Sequence, residues 1–121
     1  MFELRRVYEH RVIQSGETCI LVDRLWPRGI AKDRLRGVAW WQDVAPSAEL
    51  RRWFGHAPER WPEFVRRYHA ELDQQPERIA VLRALGGRGT VVLLYAAKDL
   101  VHNHAAALRG YLLDEAPDLP T

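Results

Sequence analysis

The sequence predicts a small α/β domain: about three mainly parallel strands with helices packed on them. Three observations carry that expectation. Thr90-Val91-Val92-Leu93-Leu94-Tyr95-Ala96 is β-branched, apolar and bounded by glycine, which suits a buried strand. Cys19-Ile20-Leu21-Val22 is a second apolar run, too continuous for a half-exposed edge and therefore expected near the sheet centre. Between them lie apolar stripes at helical spacing, so a long crossover containing its own helices joins the two strands.

Taken in order, Phe2 to Tyr8 reads as a first strand, with Phe2, Leu4 and Tyr8 on one face and its direction left open. Ser15-Gly16 is a turn. The second strand covers Thr18 to Leu25, and Ile30 to Gly37 is charged, with room for one helical turn. Val38 to Val44 is short and amphipathic. Pro46 biases Ala45 away from helix, and Ser47 is placed to cap the next one. Leu50, Trp53 and Phe54 form its buried stripe, and Gly55 ends it. Pro58 or Pro62 can open a further helix bearing Trp61, Phe64, Val65, Tyr68 and Leu72. Pro76 opens another with Ile79, Leu82 and Leu85, which Gly86-Gly87 is expected to stop. After the third strand, Asp99 is expected to cap a last helix carrying Val101, Ala105, Leu108 and Leu112. Residues 1–115 are read as a single compact domain, and 116–121, with two prolines, as a loose tail.

Composition narrows the function classes. The 121 residues and a hydrophobic fraction of 47% suit one globular domain with a real core. No apolar run approaches the roughly 20 residues of a membrane helix, and Met1 to Arg6 lacks the features of a signal peptide. The single cysteine excludes an internal disulfide, and the cytoplasm is the expected compartment. Eighteen basic residues against sixteen acidic ones leave a formal charge of +2, small for a broad nucleic-acid footprint.

The chemistry concentrates where strands end. Asp23-Arg24-Leu25-Trp26-Pro27-Arg28-Gly29 follows the second strand and holds two guanidiniums and an indole; open α/β sheets bind ligands at that edge. Tyr95-Ala96-Ala97-Lys98-Asp99 with His102-Asn103 follows the third. If those strands are parallel, Arg24, Trp26 and Arg28 approach Lys98, Asp99, His102 and Asn103. Pro46-Ser47, with Arg51, Arg52 and His56 downstream, is a third candidate. Arg24, Trp26, Arg28, Ser47, His56, Lys98 and Asn103 are thus expected ligand contacts for an anion, with Asp23, Asp99, His102 and Tyr95 as candidate acid–base groups.

Each has a plainer reading: Trp26 as a core lid, Arg24 pairing with Asp23 or Asp43, Ser47 and Asp99 as ordinary caps, His69 as a solvated side chain. Cys19 reads as a buried structural thiol. His102 and His104, two apart on an expected helix, are about 200° around its axis and cannot share a metal. No metal site is expected, and no cofactor motif is recognised.

Val22 to Gly29, Ala45-Pro46-Ser47, Leu50-Arg51-Arg52-Trp53-Phe54-Gly55-His56 and Leu94 to Asp99 with His102-Asn103 together resemble the YeaO-like family. These are small bacterial domains of unknown function, in the family numbered four-eight-eight. The motifs run in the same order from Arg6 to about Leu112. The resemblance implies a compact α/β domain and a site at these residues, and it names no reaction. Where the family pattern often has lysine after the tryptophan pair, this chain has Gln42. Three functions remain in view: a domain binding a phosphorylated or nucleotide-like small anion, a nucleic-acid-associated or regulatory module, and a dimerising interaction protein. Monomer and homodimer are both compatible with the sequence.

Overall fold

In the computed structural model, which describes residues 1–114, four parallel strands run in the order β1-β4-β2-β3. They are β1 (Phe2–Arg6), β2 (Glu17–Leu21), β3 (Ala39–Trp40) and β4 (Thr90–Tyr95). The first strand is parallel to β4 in the register Phe2↔Val91 through Arg6↔Tyr95, and β2 flanks β4 on its other side from Glu17↔Thr90 to Leu21↔Leu94. The expected three-stranded parallel sheet is therefore present, with a fourth, two-residue strand added at the edge. That strand escapes a pattern search because two residues carry no periodicity. It pairs through Ile20↔Ala39 and Leu21↔Trp40, and Trp41 N–H donates to the Leu21 carbonyl at 2.9 Å.

The central strand explains the layering. Val91 to Tyr95 are all buried, so both faces of β4 are covered. Val91, Leu93 and Tyr95 share one face with Ile20 and Val22, and onto it pack all four α-helices: α1 (Ala48–Phe54), α2 (Trp61–Leu72), α3 (Pro76–Arg88) and α4 (His104–Leu112). Val92, Leu94, Cys19 and Leu21 point the other way, where Val7, Ile30 and Leu35 cover them from irregular segments and short 3₁₀ turns. One face thus carries a helical layer and the other a thin coat of loop.

Ser47 caps α1, accepting from Leu50 N–H at 3.1 Å, and Gly55 at φ +54° closes it in the left-handed region that glycine adopts cheaply. The stripe expected on α2 is buried in full. Its aromatics continue those of α1: Phe54 and Phe64 stack with centroids 4.5 Å apart, and Trp61 and Phe64 at 5.6 Å. Such pairs contribute about 0.5–1.5 kcal/mol each beyond burial.

Two expected boundaries differ. Helix α3 runs through Gly86-Gly87 to Arg88. Gly86 is there for space: a Cβ would meet the Phe2 ring at 2.5 Å. Helix α4 starts at His104, capped by Asn103, whose Oδ1 accepts from Ala106 N–H at 2.8 Å. Asp99 instead organises the preceding turn, so Val101 and His102 lie outside the helix. The expected tail from residue 116, and the boundary at 115, lie outside the described residues. No helix among the described residues is long and apolar enough to cross a membrane.

Candidate functional site

Because every strand is parallel, the segments leaving β2 and β4 emerge at one edge, and a cleft of about 770 Å³ opens between them. That size falls within the range of small-molecule sites. Asp23 to Arg28 form one wall, Ala96 to Asp99 with His102 to His104 the other, and Pro46, Arg51 and His56 a third side. Phe54 and Phe64, members of the aromatic stack, underlie it.

The segment after β2 is braced by backbone-directed bonds. Trp26 Nε1–H donates to the Ile30 carbonyl at 2.6 Å, Tyr8 O–H to Arg28 O at 2.9 Å, and Trp40 Nε1–H to Asp23 O at 2.8 Å. Gln42 donates to Arg24 O at 2.9 Å and so serves the same bracing. Across the cleft, Arg6 reaches the Ala97 and Ala96 carbonyls at 3.0 and 3.2 Å. Loops held at both ends in this way keep their side chains in defined positions.

The expected contacts divide into groups. Arg24, Trp26, Arg28, His56, Lys98 and Asn103 line the cleft, as do Asp23, Asp99 and His102. Among them Arg24 does a different job from the one expected. Its Nε and Nη2 donate to Pro46 O and Ala45 O at 2.9 and 3.2 Å, so it staples the β2 exit to the start of α1. Neither Asp23 nor Asp43 takes it; Asp43 pairs with Arg78 at 2.9 Å. Asn103 is buried, its amide committed to the cap and to Asp99 O.

Ser47 and Tyr95 do not line the cleft. Ser47 Oγ donates to Glu71 Oε2 at 2.6 Å while its N–H donates to Oε1 at 2.8 Å, so capping and the Glu71 bracket use up its groups. Tyr95 lies in the helix-side core, where burial pushes its phenol pKa up. His69 is not merely solvated: its Nε2 lies 2.9 Å from Ala107 O and its ring stands edge-on to Tyr111.

Two carboxylate–imidazole pairs occupy the cleft. Asp99 Oδ1 accepts from the Val101 and His102 amides at 2.9 Å each, and Oδ2 lies 3.1 Å from His102 Nδ1. The His102 and Val101 amides hold the Asp99 carboxyl below its ordinary pKa. The second pair involves His104, which the sequence reading considered only as a metal ligand. Its Nε2 is 2.8 Å from Asp23 Oδ1 and 3.1 Å from Val22 O, while Asp23 Oδ2 accepts from Ala96 N–H at 3.1 Å. The ring N–H is directed at the Val22 carbonyl, so Asp23 Oδ1 faces the ring at close range without a hydrogen aimed at it. Asp23 thereby ties the β2 exit to both β4 and α4. Helical phase alone could not reveal His104, because its partner Asp23 is eighty-one positions away in sequence. Among the described residues, no three His, Cys, Asp or Glu side chains gather as a metal site.

Arg28, Arg51 and Lys98 also line the cleft, and all three are exposed with no carboxylate partner among the described residues. Among the described residues, no serine, threonine or cysteine lines the cleft.

The architecture and these motifs define a small α/β domain with a cleft at the carboxyl edge of a parallel sheet. Residues 1–118 match the family model described as the inactive DUF488-N3 subclade, and the chain belongs to the YeaO-like DUF488 family. It is 47% identical over 107 residues to the uncharacterised protein Rv3073c of Mycobacterium tuberculosis strain H37Rv, covering 88% of this chain and 89% of that one. Against the uncharacterised protein YeaO of Escherichia coli K12 it is 38% identical over 110 residues, covering 91% and 95%. No solved structure matches the chain.

Proposed function

We propose that the cleft binds a small anionic ligand, phosphorylated or nucleotide-like, and that the domain acts by binding. The observation that carries this reading is the convergence of Arg28, Arg51 and Lys98, exposed and without carboxylate partners among the described residues, on one concave site floored by aromatics. Arginine forks match phosphate geometry, and lysine adds a mobile charge. The two carboxylates of the cleft do not cancel these cations, because Asp23 and Asp99 are engaged by backbone amides and imidazoles. The family's description as an inactive subclade, and a lining without serine, threonine or cysteine among the described residues, favour binding over covalent catalysis.

Thermal melts with inorganic phosphate and with a nucleoside monophosphate test the reading. Both are expected to raise the melting temperature of the wild-type protein and to lose that effect in an Arg28→Ala, Lys98→Ala variant. Wild-type protein indifferent to both compounds at millimolar concentration would sink it. The rival anion is a nucleic-acid backbone. Binding to oligonucleotides that exceeds binding to the mononucleotide and falls steeply with salt would favour that reading instead. A tryptophan-built dimer interface has less to stand on. Trp61 is buried, Trp53 is covered by Arg60 and Arg67, and Trp41 is covered by Arg78, leaving Trp40 exposed beside Trp26.

A further inference from the structure

Two of the three histidines that line the cleft, His102 and His104, are held so that each leaves one ring nitrogen open. His104 Nε2 lies against two acceptors, Val22 O and Asp23 Oδ1, so Nε2 carries the hydrogen and Nδ1 is the free nitrogen. Among the described residues Nδ1 has no partner, and the residue lines the cleft. His102 is held the other way round. Its Nδ1 is against Asp99 Oδ2, its ring stands edge-on to Trp61 with centroids 5.3 Å apart, and its Nε2 is unpartnered. An anion bound in front of each ring would favour its imidazolium. The other charged or titratable groups around the cleft are Tyr8, Arg24, Arg28, Arg51, His56 and Lys98.

We infer that the cleft selects a terminal phosphomonoester over a phosphodiester, with His102 Nε2 and His104 Nδ1 taking up protons as the ligand binds and donating to its oxygens. This rests on the anion-binding reading above and narrows its ligand class. Fixed arginine and lysine charges attract any anion, whereas an imidazole donates from its second nitrogen only after protonation. A phosphomonoester brings a charge of about −1.5 to −2 at neutral pH and three terminal oxygens. A diester brings one charge and two free oxygens, less to hold two imidazoliums beside three other cations. The Val22 carbonyl sets which nitrogen His104 presents, and Asp99 is the positioning residue that sets it for His102.

Titration calorimetry at pH 8, in two buffers of different ionisation enthalpy, tests the inference with adenosine 5′-monophosphate and its methyl ester. At that pH the monoester is essentially dianionic, its second pKa being about 6, so protons taken up go to the protein. The expected result is uptake approaching two protons per monoester, with the diester bound at least about tenfold more weakly. His102→Gln and His104→Gln are each expected to cut the uptake and to weaken the monoester about tenfold while changing the diester little. Equal affinities, or monoester binding without proton uptake by the wild-type protein, would overturn the selection. Failure of both compounds to bind defeats the anion-binding reading itself. The proton count is made on unaltered protein, so it stands even if a variant folds poorly.

Discussion

Arg24 and Arg28 lie four positions apart in one motif and do different work. Arg24 is spent on two backbone carbonyls, whereas Arg28 has no carboxylate partner among the described residues. Arg24→Met removes both donors and is expected to lower unfolding free energy by about 1–3 kcal/mol, read from denaturant midpoints. Arg28→Ala should stay within about 0.5 kcal/mol of the parent in the same measurement, and lose anion affinity. A second residue-scale expectation concerns His10, buried beside Arg5, whose Nη1 is 3.3 Å from its Nδ1. Burial first, then the Arg5 charge, pushes its pKa below the ordinary 6.5. The unfolded chain therefore binds the proton more readily than the folded one. By linkage this contribution favours folding above about pH 6.5 and is lost as pH falls from there through the folded pKa. Denaturant titrations between pH 7.5 and 5 should show the loss, and His10→Gln should flatten it; an unchanged slope counts against it. The residue types of the site were readable as chemistry, but whether a guanidinium meets a ligand or a carbonyl was not. Arg24's acceptors lie twenty-one and twenty-two positions away.

Elements show the same division between pattern and context. The helical stripe of α2 and the β-branched run of β4 survive intact, and that of α1 in Leu50 and Phe54 with Trp53 half-buried, because each is a local periodicity that the core then buries. The double glycine of α3 was misread as a stop because glycine's local meaning is a break, while its tertiary meaning here is close approach. That distinction is testable. Gly86→Ala should destabilise despite alanine's better helix propensity, since its Cβ meets the Phe2 ring. Gly87→Ala, with nothing within 4 Å of its Cβ, should gain up to about 1 kcal/mol. Comparing the two midpoints isolates packing from propensity; equal effects would remove the proposed reason for Gly86. The start of α4 was misplaced by four residues because Asp99 and Asn103 are both competent caps. Asp99 is used by a turn, and only Asn103 meets the helix's own N–H groups.

At the scale of the whole molecule, the parallel sheet assembles the site. Strand β4 lies between β1 and β2, so three chain segments separated by up to ninety residues end on one edge. A ligand there touches several elements at once, and its binding should couple to global stability. At a hundredfold excess over its dissociation constant the gain is about 2.7 kcal/mol. For a domain of this size that corresponds to a melting-temperature rise of roughly 10 °C. A smaller rise at demonstrated saturation would mean that the described fold is not the only species that binds.

By itself the sequence determined the class of fold, the helical faces, the β4 core strand and the motifs that place the chain in its family. Each of these depends on residues close together in the chain, or on whole motifs kept in order. Tertiary structure alone decided that β1 is parallel, that β3 exists, that Ser47 bonds Glu71 and Arg24 the Ala45 and Pro46 carbonyls, and that His104 joins Asp23 at the cleft. These turn on pairings across the sheet and between its edge and the helices, where spacing along the chain carries no information about distance in space.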